Sequence, residues 1–179
     1  MLFRSDTPGR AIAVIGDGAL SAGMPNLPVE VRRGVTALFS TDASDELRKR
    51  MRGLFGLVGA AIWTETEAEL AAIGSVAGAG PAYVARFVAA LAKAGEGRGL
   101  SPEVASRIAL ETVLGTALMA EGRGETMDEV ARRVASPKGT TEAGLAVLDA
   151  GGALDGLVAE TIAAASRRGA ELAQEARKP

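Results

Sequence analysis

The sequence predicts a mainly helical protein whose first third carries a short α/β segment. Strand-like apolar runs occur only before residue 66, and the later segments have apolar residues at helical spacing. Helix start signals, in which Ser or Thr precedes an acidic first turn, recur from residue 44 to residue 129. Aromatic residues make up 3% of the chain and glycines number 23, a composition that favours closely packed helices.

The α/β segment is expected to hold three strands and one helix. Predicted strands cover residues 11–15, 34–40 and 60–64. The helix begins after Ser44, a good N-cap residue, and its apolar residues from Leu47 to Val58 fall on one stripe. Residues 24–28 are expected to form a loop, because two prolines deny the backbone the donors that a helix needs.

Capping patterns mark where the later helices begin. Thr66–Glu69 and Thr126–Glu129 have the capping-box pattern, and Ser101–Glu103 combines an N-cap with a proline in the first turn. Ala77–Gly80 is expected to interrupt the first of these helices, and Pro81 to start the next.

The last helices carry apolar residues on more than one face. The helix from residue 102 is expected to stop at Gly122, and the final helix to cover about residues 154–176. In the final helix Leu157, Val158 and Ile162 are predicted to face inward. The helix from residue 102 is almost encircled by Leu110, Val113, Leu114 and Leu118. One subunit of this size has too few elements to cover these faces, so the pattern predicts a dimer.

Composition excludes several kinds of chemistry. The 179 residues contain no Cys and no His, which excludes disulfides, thiolate nucleophiles, imidazole catalysis and zinc sites of the HExxH kind. A net charge of -2 with no basic motif argues against a nucleic-acid partner, and the basic residues at 48–52 are expected to form a solvated helix face. No signal peptide or membrane span is apparent, which predicts a cytoplasmic protein.

The segment Ser136–Thr141 is the strongest candidate site. A glycine and two threonines just before a helix present free N–H groups and the positive end of the helix dipole to a carboxylate or phosphate, and Lys138 adds positive charge. The alternative is an ordinary helix N-cap with a loop lysine. Gly16-Asp17-Gly18 is better explained as a turn than as a dinucleotide fingerprint, because Ser21 stands where the third glycine belongs.

Five stretches together resemble the pyrroline-5-carboxylate reductase family. They follow the order and spacing of that family over about residues 24–175. The stretches are Met24-Pro25-Asn26-Leu27-Pro28, Gly34-Val35-Thr36-Ala37-Leu38, Ala77-Gly78-Ala79-Gly80-Pro81-Ala82-Tyr83, Thr112-Val113-Leu114-Gly115-Thr116-Ala117 and Ser136-Pro137-Lys138-Gly139-Thr140-Thr141-Glu142-Ala143-Gly144-Leu145.

The resemblance implies the last step of proline synthesis, in which NADPH or NADH gives a hydride to the imine carbon of 1-pyrroline-5-carboxylate. It implies a substrate site at Ser136, Lys138, Gly139, Thr140 and Thr141. It also implies that Pro25 and Asn26 lie beside the nicotinamide, and that Glu125 contacts the partner subunit. No metal is expected. The implied partners are a second copy, with dimers assembling further into rings.

The implied organisation has two parts. Residues 1–65 resemble the last part of a Rossmann domain, and residues 66–179 resemble a helical dimerisation and substrate-binding domain of the kind found at the C-terminus of 6-phosphogluconate dehydrogenase. Only 23 residues precede Met24, so most of the cofactor domain is expected to be missing, which argues against turnover by this chain alone. The alternative function is a non-catalytic helical dimerisation module.

Three residues depart from the family pattern. Lys138 replaces the first glycine of the family's Ser-Pro-Gly-Gly-Thr-Thr loop. If that position requires a positive φ, the lysine costs on the order of 1 kcal/mol. Ala77 and Ala79 replace two serines of the family's Ser-Gly-Ser-Gly-Pro segment, so two hydroxyl groups are lost.

Overall fold

The computed structural model describes residues 22–175, and the mainly helical class with a short α/β segment is confirmed. The strands are β1 (Ala22–Pro25), β2 (Gly34–Phe39) and β3 (Gly59–Thr64). The α-helices are α1 (Asp45–Gly56), α2 (Glu67–Ile73), α3 (Gly80–Glu96), α4 (Pro102–Arg123), α5 (Met127–Val134), α6 (Thr140–Leu148) and α7 (Ala153–Glu175). Shorter turns are 3-10 helices at Leu27–Val31 and Ala150–Gly152 and a π-helix at Gly74–Gly78. The predicted strand at 11–15 and the Gly16–Gly18 turn lie outside the described residues.

Contacts divide the chain into two compact units. The first extends to Pro81 and takes up the chain again at Thr161, and the second is Ala82–Glu160. The first unit contains the sheet, and the second contains α4, α5 and α6 with most of α3.

The sheet of the first unit has β2 at its centre. This strand pairs with β1 in antiparallel and with β3 in parallel orientation. Leu38 of β2 is fully buried and packs with Met51 of α1, with Leu47 and Phe55 beside them, so part of the predicted apolar stripe lies on the sheet, while Leu54 is 52% exposed. Gly59, opposite Gly34, has a φ of +141°, and a Cβ there would lie 1.9 Å from the Gly34 carbonyl oxygen. Only glycine meets both conditions.

The prediction of a loop at residues 24–28 is wrong in part. Met24 and Pro25 belong to β1, where they pair with Ala37 and Thr36, and Pro28 stands in the first turn of a 3-10 helix. Among the described strands β1 is at the edge of the sheet. A proline is tolerated there because its missing N–H removes no hydrogen bond from the sheet interior.

The predicted helix starts are largely confirmed. Side-chain oxygens cap the first turns of their helices at Ser44, Ser101 and Thr126. Thr126 and Glu129 form a complete capping box. The box predicted at Thr66 is only half formed, because the Glu69 carboxylate accepts from the N–H of Glu65, at 2.8 Å, instead of that of Thr66.

The prediction that α4 stops at Gly122 is wrong by two residues. The helix continues to Arg123, and Gly124 ends it with a φ of +66°. A glycine ends a helix by adopting the left-handed conformation, and Gly124 does so while Gly122 remains helical.

The second unit buries small residues and leaves large ones at the surface. Its core is Ala92 of α3 against Ala105 and Ala109 of α4, with Val88 packed beside them. Exposed apolar side chains in this unit include Val84, Phe87, Leu91, Ile108, Leu110, Leu114 and Leu118. The prediction that Leu157 and Val158 face inward is wrong within the chain, since they are 64% and 51% exposed. The large apolar faces are therefore open to a further chain.

The helical stretch Glu67–Glu96 is longer than the two separate helices predicted for it. The π-helical turn joins α2 and α3, so the break expected at Ala77–Gly80 becomes a local change of helix type. The stretch has 30 residues, and an 18-residue window reaches a mean hydropathy of 1.3, enough by length and composition to cross a membrane. Core helices of soluble proteins meet the same criterion, and the absence of a membrane partner stays a prediction.

Candidate functional site

The loop before α6 is a tight turn that Gly139 makes possible. The Gly139 N–H donates to the Ser136 carbonyl at 3.0 Å. A Cβ on Gly139 would lie 2.5 Å from Ser136 Oγ and 2.9 Å from Ser136 O. The φ of Gly139 is an ordinary −86°, so this glycine is required by close approach and not by its backbone angle.

Lys138 adopts the left-handed backbone conformation. This is the positive φ for which a strain energy is expected at this position. Its φ is +60°, one of two positive values found at non-glycine residues of the described chain. A lysine there costs about 1 kcal/mol relative to a residue in an ordinary conformation. The Lys138 N–H donates to Glu142 Oε2 at 2.6 Å, so the carboxylate from the first turn of α6 holds this strained residue.

The N-terminus of α6 offers hydrogen-bond donors that no residue in the described part of the chain uses. Gly139 is the N-cap and has no side chain with which to cap the helix. Within residues 22–175, the hydroxyls of Thr140 and Thr141 have no hydrogen-bond partner; Thr140 is exposed and Thr141 half-buried. Free first-turn N–H groups, two hydroxyls and the positive end of the helix dipole suit a carboxylate.

Asn26 is held by three hydrogen bonds within the first unit. Its Oδ1 accepts from the Val35 N–H at 2.8 Å, and its Nδ2 donates to the Ala77 carbonyl at 2.9 Å. Its backbone N–H donates to the Val35 carbonyl at 3.0 Å. The polar atoms of the side chain are therefore occupied without any ligand. The position of Pro25 and Asn26 beside a nicotinamide stays a prediction.

Glu125 lies in the turn between α4 and α5 and forms an ion pair with Arg133 of α5. The neighbouring capping box lowers the pKa of Glu129, because its carboxylate accepts hydrogen bonds from the backbone N–H and the hydroxyl of Thr126. The contact of Glu125 with a partner subunit stays a prediction.

The structure brings together one predicted group of site residues and not the whole set. Ser136, Lys138, Gly139, Thr140 and Thr141 form one continuous turn in the second unit, which also contains Glu125. Pro25 and Asn26 belong to the first unit. In the described part of the chain no three carboxylates converge in a way that could hold a metal ion.

Two participants in these sites, Glu142 and the Ala77 carbonyl, were not among the predicted site residues. Glu142 has a local signal, because an acidic residue at the third position of a helix commonly accepts from an N–H before the helix. The Ala77 carbonyl can be recognised in the sequence as an acceptor that lacks its α-helical donor. That donor would be the N–H of residue 81, four residues on, which is a proline.

Comparison with known proteins agrees with this fold. The family model for pyrroline-5-carboxylate reductase dimerisation matches residues 67–172. A pyrroline-5-carboxylate reductase of Pseudomonas aeruginosa is 41% identical over 153 residues, which are 85% of this chain and 56% of that protein. One from a Synechocystis species is 38% identical over 161 residues, 89% of this chain and 59% of that protein.

Solved structures of that class have the same fold. A pyrroline-5-carboxylate reductase from Coxiella burnetii matches with a TM-score of 0.79 and 35% identity, over 84% of this chain and 56% of that one. A Plasmodium falciparum pyrroline carboxylate reductase with NADP bound matches with a TM-score of 0.70 and 26% identity, over 82% of this chain and 58% of that one. The fold is thus that of a helical dimerisation domain. The chain belongs to the pyrroline-5-carboxylate reductase family, and it spans little more than half the length of these relatives.

Proposed function

We propose that the chain acts in the reduction of 1-pyrroline-5-carboxylate to L-proline with NADPH or NADH, and that the α6 loop binds the carboxylate of the substrate. The observation that carries this proposal is the uncapped start of α6, where Thr140 and Thr141 follow Gly139 in the loop that resembles the family's substrate loop. The family match supports the reaction class.

The loop's part in the reaction is binding and orientation. The N–H groups and hydroxyls at the start of α6 would hold the carboxylate and so fix the ring. When bound, the reduced nicotinamide supplies a hydride to the imine carbon, and the protonated imine nitrogen becomes the amine of proline. An iminium is already electrophilic, so the reaction requires little acid catalysis from a chain that has no histidine.

The described residues fit the substrate better than the cofactor. No G-x-G-x-x-G stretch occurs among residues 22–175, and the Asn26 side chain is bonded to Val35 and Ala77. These residues therefore offer no glycine-rich cradle for a pyrophosphate, and the position of Pro25 and Asn26 beside the nicotinamide is proposed from the family resemblance alone. Cofactor use by this chain is proposed from the family alone, in which one relative carries NADP.

The proposed organisation follows the same reasoning. Residues 1–65 would derive from a Rossmann domain and residues 66–179 from the dimerisation domain, which the family match over residues 67–172 supports. The exposed apolar faces of α3 and α4 support a homodimer in which each copy covers the other. Assembly of dimers into rings and a cytoplasmic location are proposed with it.

The test is imine-dependent oxidation of NADPH by the purified chain, followed by absorbance. Because residues 22–175 hold no glycine-rich cradle for the cofactor, we expect slow oxidation of NADPH that saturates with 1-pyrroline-5-carboxylate and stops without it. Replacing both loop hydroxyls, T140V with T141V, should raise the KM for the imine, while T116V on α4 serves as a matched control, because its hydroxyl only donates to the Thr112 carbonyl. A chain that neither oxidises NADPH nor binds proline would contradict the proposal.

A further inference from the structure

Pro81 leaves the carbonyl of Ala77, at the end of the π-helix Gly74–Gly78, without its α-helical donor. In an α-helix the carbonyl of residue i accepts from the N–H of residue i+4. For Ala77 that residue is Pro81, which has no N–H. A carbonyl that is partly buried and unpaired is costly, so a donor from elsewhere is strongly favoured.

The donor comes from the turn after β1. Asn26 Nδ2 donates to the Ala77 carbonyl at 2.9 Å, across 51 residues of sequence. A second contact lies one helical turn away, where a Cβ added to Gly74 would come within 2.8 Å of Met24 Cε. The end of β1 and the turn after it therefore both lie against residues 74–77.

We propose that Asn26 is a positioning residue that fixes the junction between the π-helix and α3, at Ala77–Pro81, to the turn after β1, by supplying the hydrogen bond that Pro81 cannot give. Both ends of the side chain are used, since Oδ1 accepts from Val35 of β2 while Nδ2 reaches the helix. The link therefore joins the sheet to the helix through one amide group. Its bearing on catalysis, as the anchor of the turn expected beside the nicotinamide, rests on the proposed function.

A double-mutant cycle tests the dependence on Pro81. Asn26→Asp keeps the acceptor for Val35 and removes the donor to Ala77. Pro81→Ala restores an N–H four residues after Ala77. We expect N26D to lower the folding equilibrium constant about tenfold in the native background and less than about threefold in the P81A background. Urea unfolding of the four proteins gives these values.

Pro102 provides the matched control, because it also stands in the first turn of a helix. The N26D penalty should remain about tenfold in a P102A background. An equal penalty in the P81A and native backgrounds, or no penalty in either, would overturn the proposal.

A second measurement needs no variant. Asn26 is the only asparagine of the chain and Gln174 the only glutamine, so two side-chain amides appear in a ¹H–¹⁵N spectrum. We expect the Asn26 amide protons to exchange with solvent at least tenfold more slowly than those of Gln174, which is exposed. Equal exchange rates would overturn the proposal. Neither measurement uses turnover, so an inactive chain would contradict the proposed function and leave this test intact.

Discussion

The left-handed backbone of Lys138 leads to a prediction that separates strain from charge. Lys138→Gly and Lys138→Ala both remove the ammonium, and both keep the N–H that donates to Glu142 Oε2 at 2.6 Å. Only glycine adopts a φ of +60° without a steric cost. The comparison of the two variants therefore isolates the backbone at this position.

The expected difference follows from two opposing terms. Relief of the left-handed conformation stabilises the glycine variant by about 1–2 kcal/mol. The greater freedom of glycine in the unfolded chain offsets about 0.4–1 kcal/mol of this. We expect K138G to be more stable than K138A by about 0.5–1 kcal/mol, or roughly 2 °C in Tm for a chain of this size.

Urea denaturation of the two variants, followed by circular dichroism, measures the difference in the free energy of unfolding. Lys138→Ala itself should differ little from the native chain, because the lysine side chain is exposed. Equal stability of K138G and K138A, or a more stable K138A, would refute the reasoning that this position stores backbone strain.

Three further outcomes are expected. Thr141→Ala should weaken proline binding about tenfold, or ~1.5 kcal/mol, in calorimetry, while T116A leaves it unchanged. Leu114→Glu should turn a dimer into a monomer by light scattering, because Leu114 is exposed on the face proposed to be shared; a native chain that is monomeric at micromolar concentration would contradict the interface. The folded pKa of Glu129 lies below its unfolded value of about 4.5, so its stabilising effect is complete above that pH and is lost as the pH falls through the folded pKa. Loss of α5 helicity on acidification should therefore be weaker in T126A, and an identical acid profile in both proteins would count against the capping box.

Local sequence signals predicted the elements well, since they depend on chemistry within a few residues. Ser44, Ser101 and Thr126 cap their helices because a hydroxyl can reach an N–H three residues on. The loop before α6 was predicted from the same kind of local signal, a glycine and two threonines just before a helix. The end of α4 was predicted at Gly122 instead of Gly124. A glycine ends a helix only where its backbone is left-handed, and the sequence does not show which of the two glycines adopts that conformation.

What depends on distant contacts could not be predicted. Met24 and Pro25 form a strand because β2 lies beside them, and Met24 pairs with Ala37, 13 residues further along the chain. The bond from Asn26 to Ala77 joins residues 51 apart. Leu157 and Val158 have the pattern of inward-facing residues, yet the chain leaves them exposed, because the sequence pattern does not specify which chain covers a face.

Binding of the carboxylate of a proline-like ring at the start of α6 is the step on which the proposed function depends. Calorimetric titration of the chain with L-proline and with pyrrolidine, the same ring without a carboxylate, tests it most directly. We expect saturable binding of proline that the T140V and T141V double variant weakens at least tenfold, and no binding of pyrrolidine. Equal binding of the two compounds, or binding of neither, would contradict it.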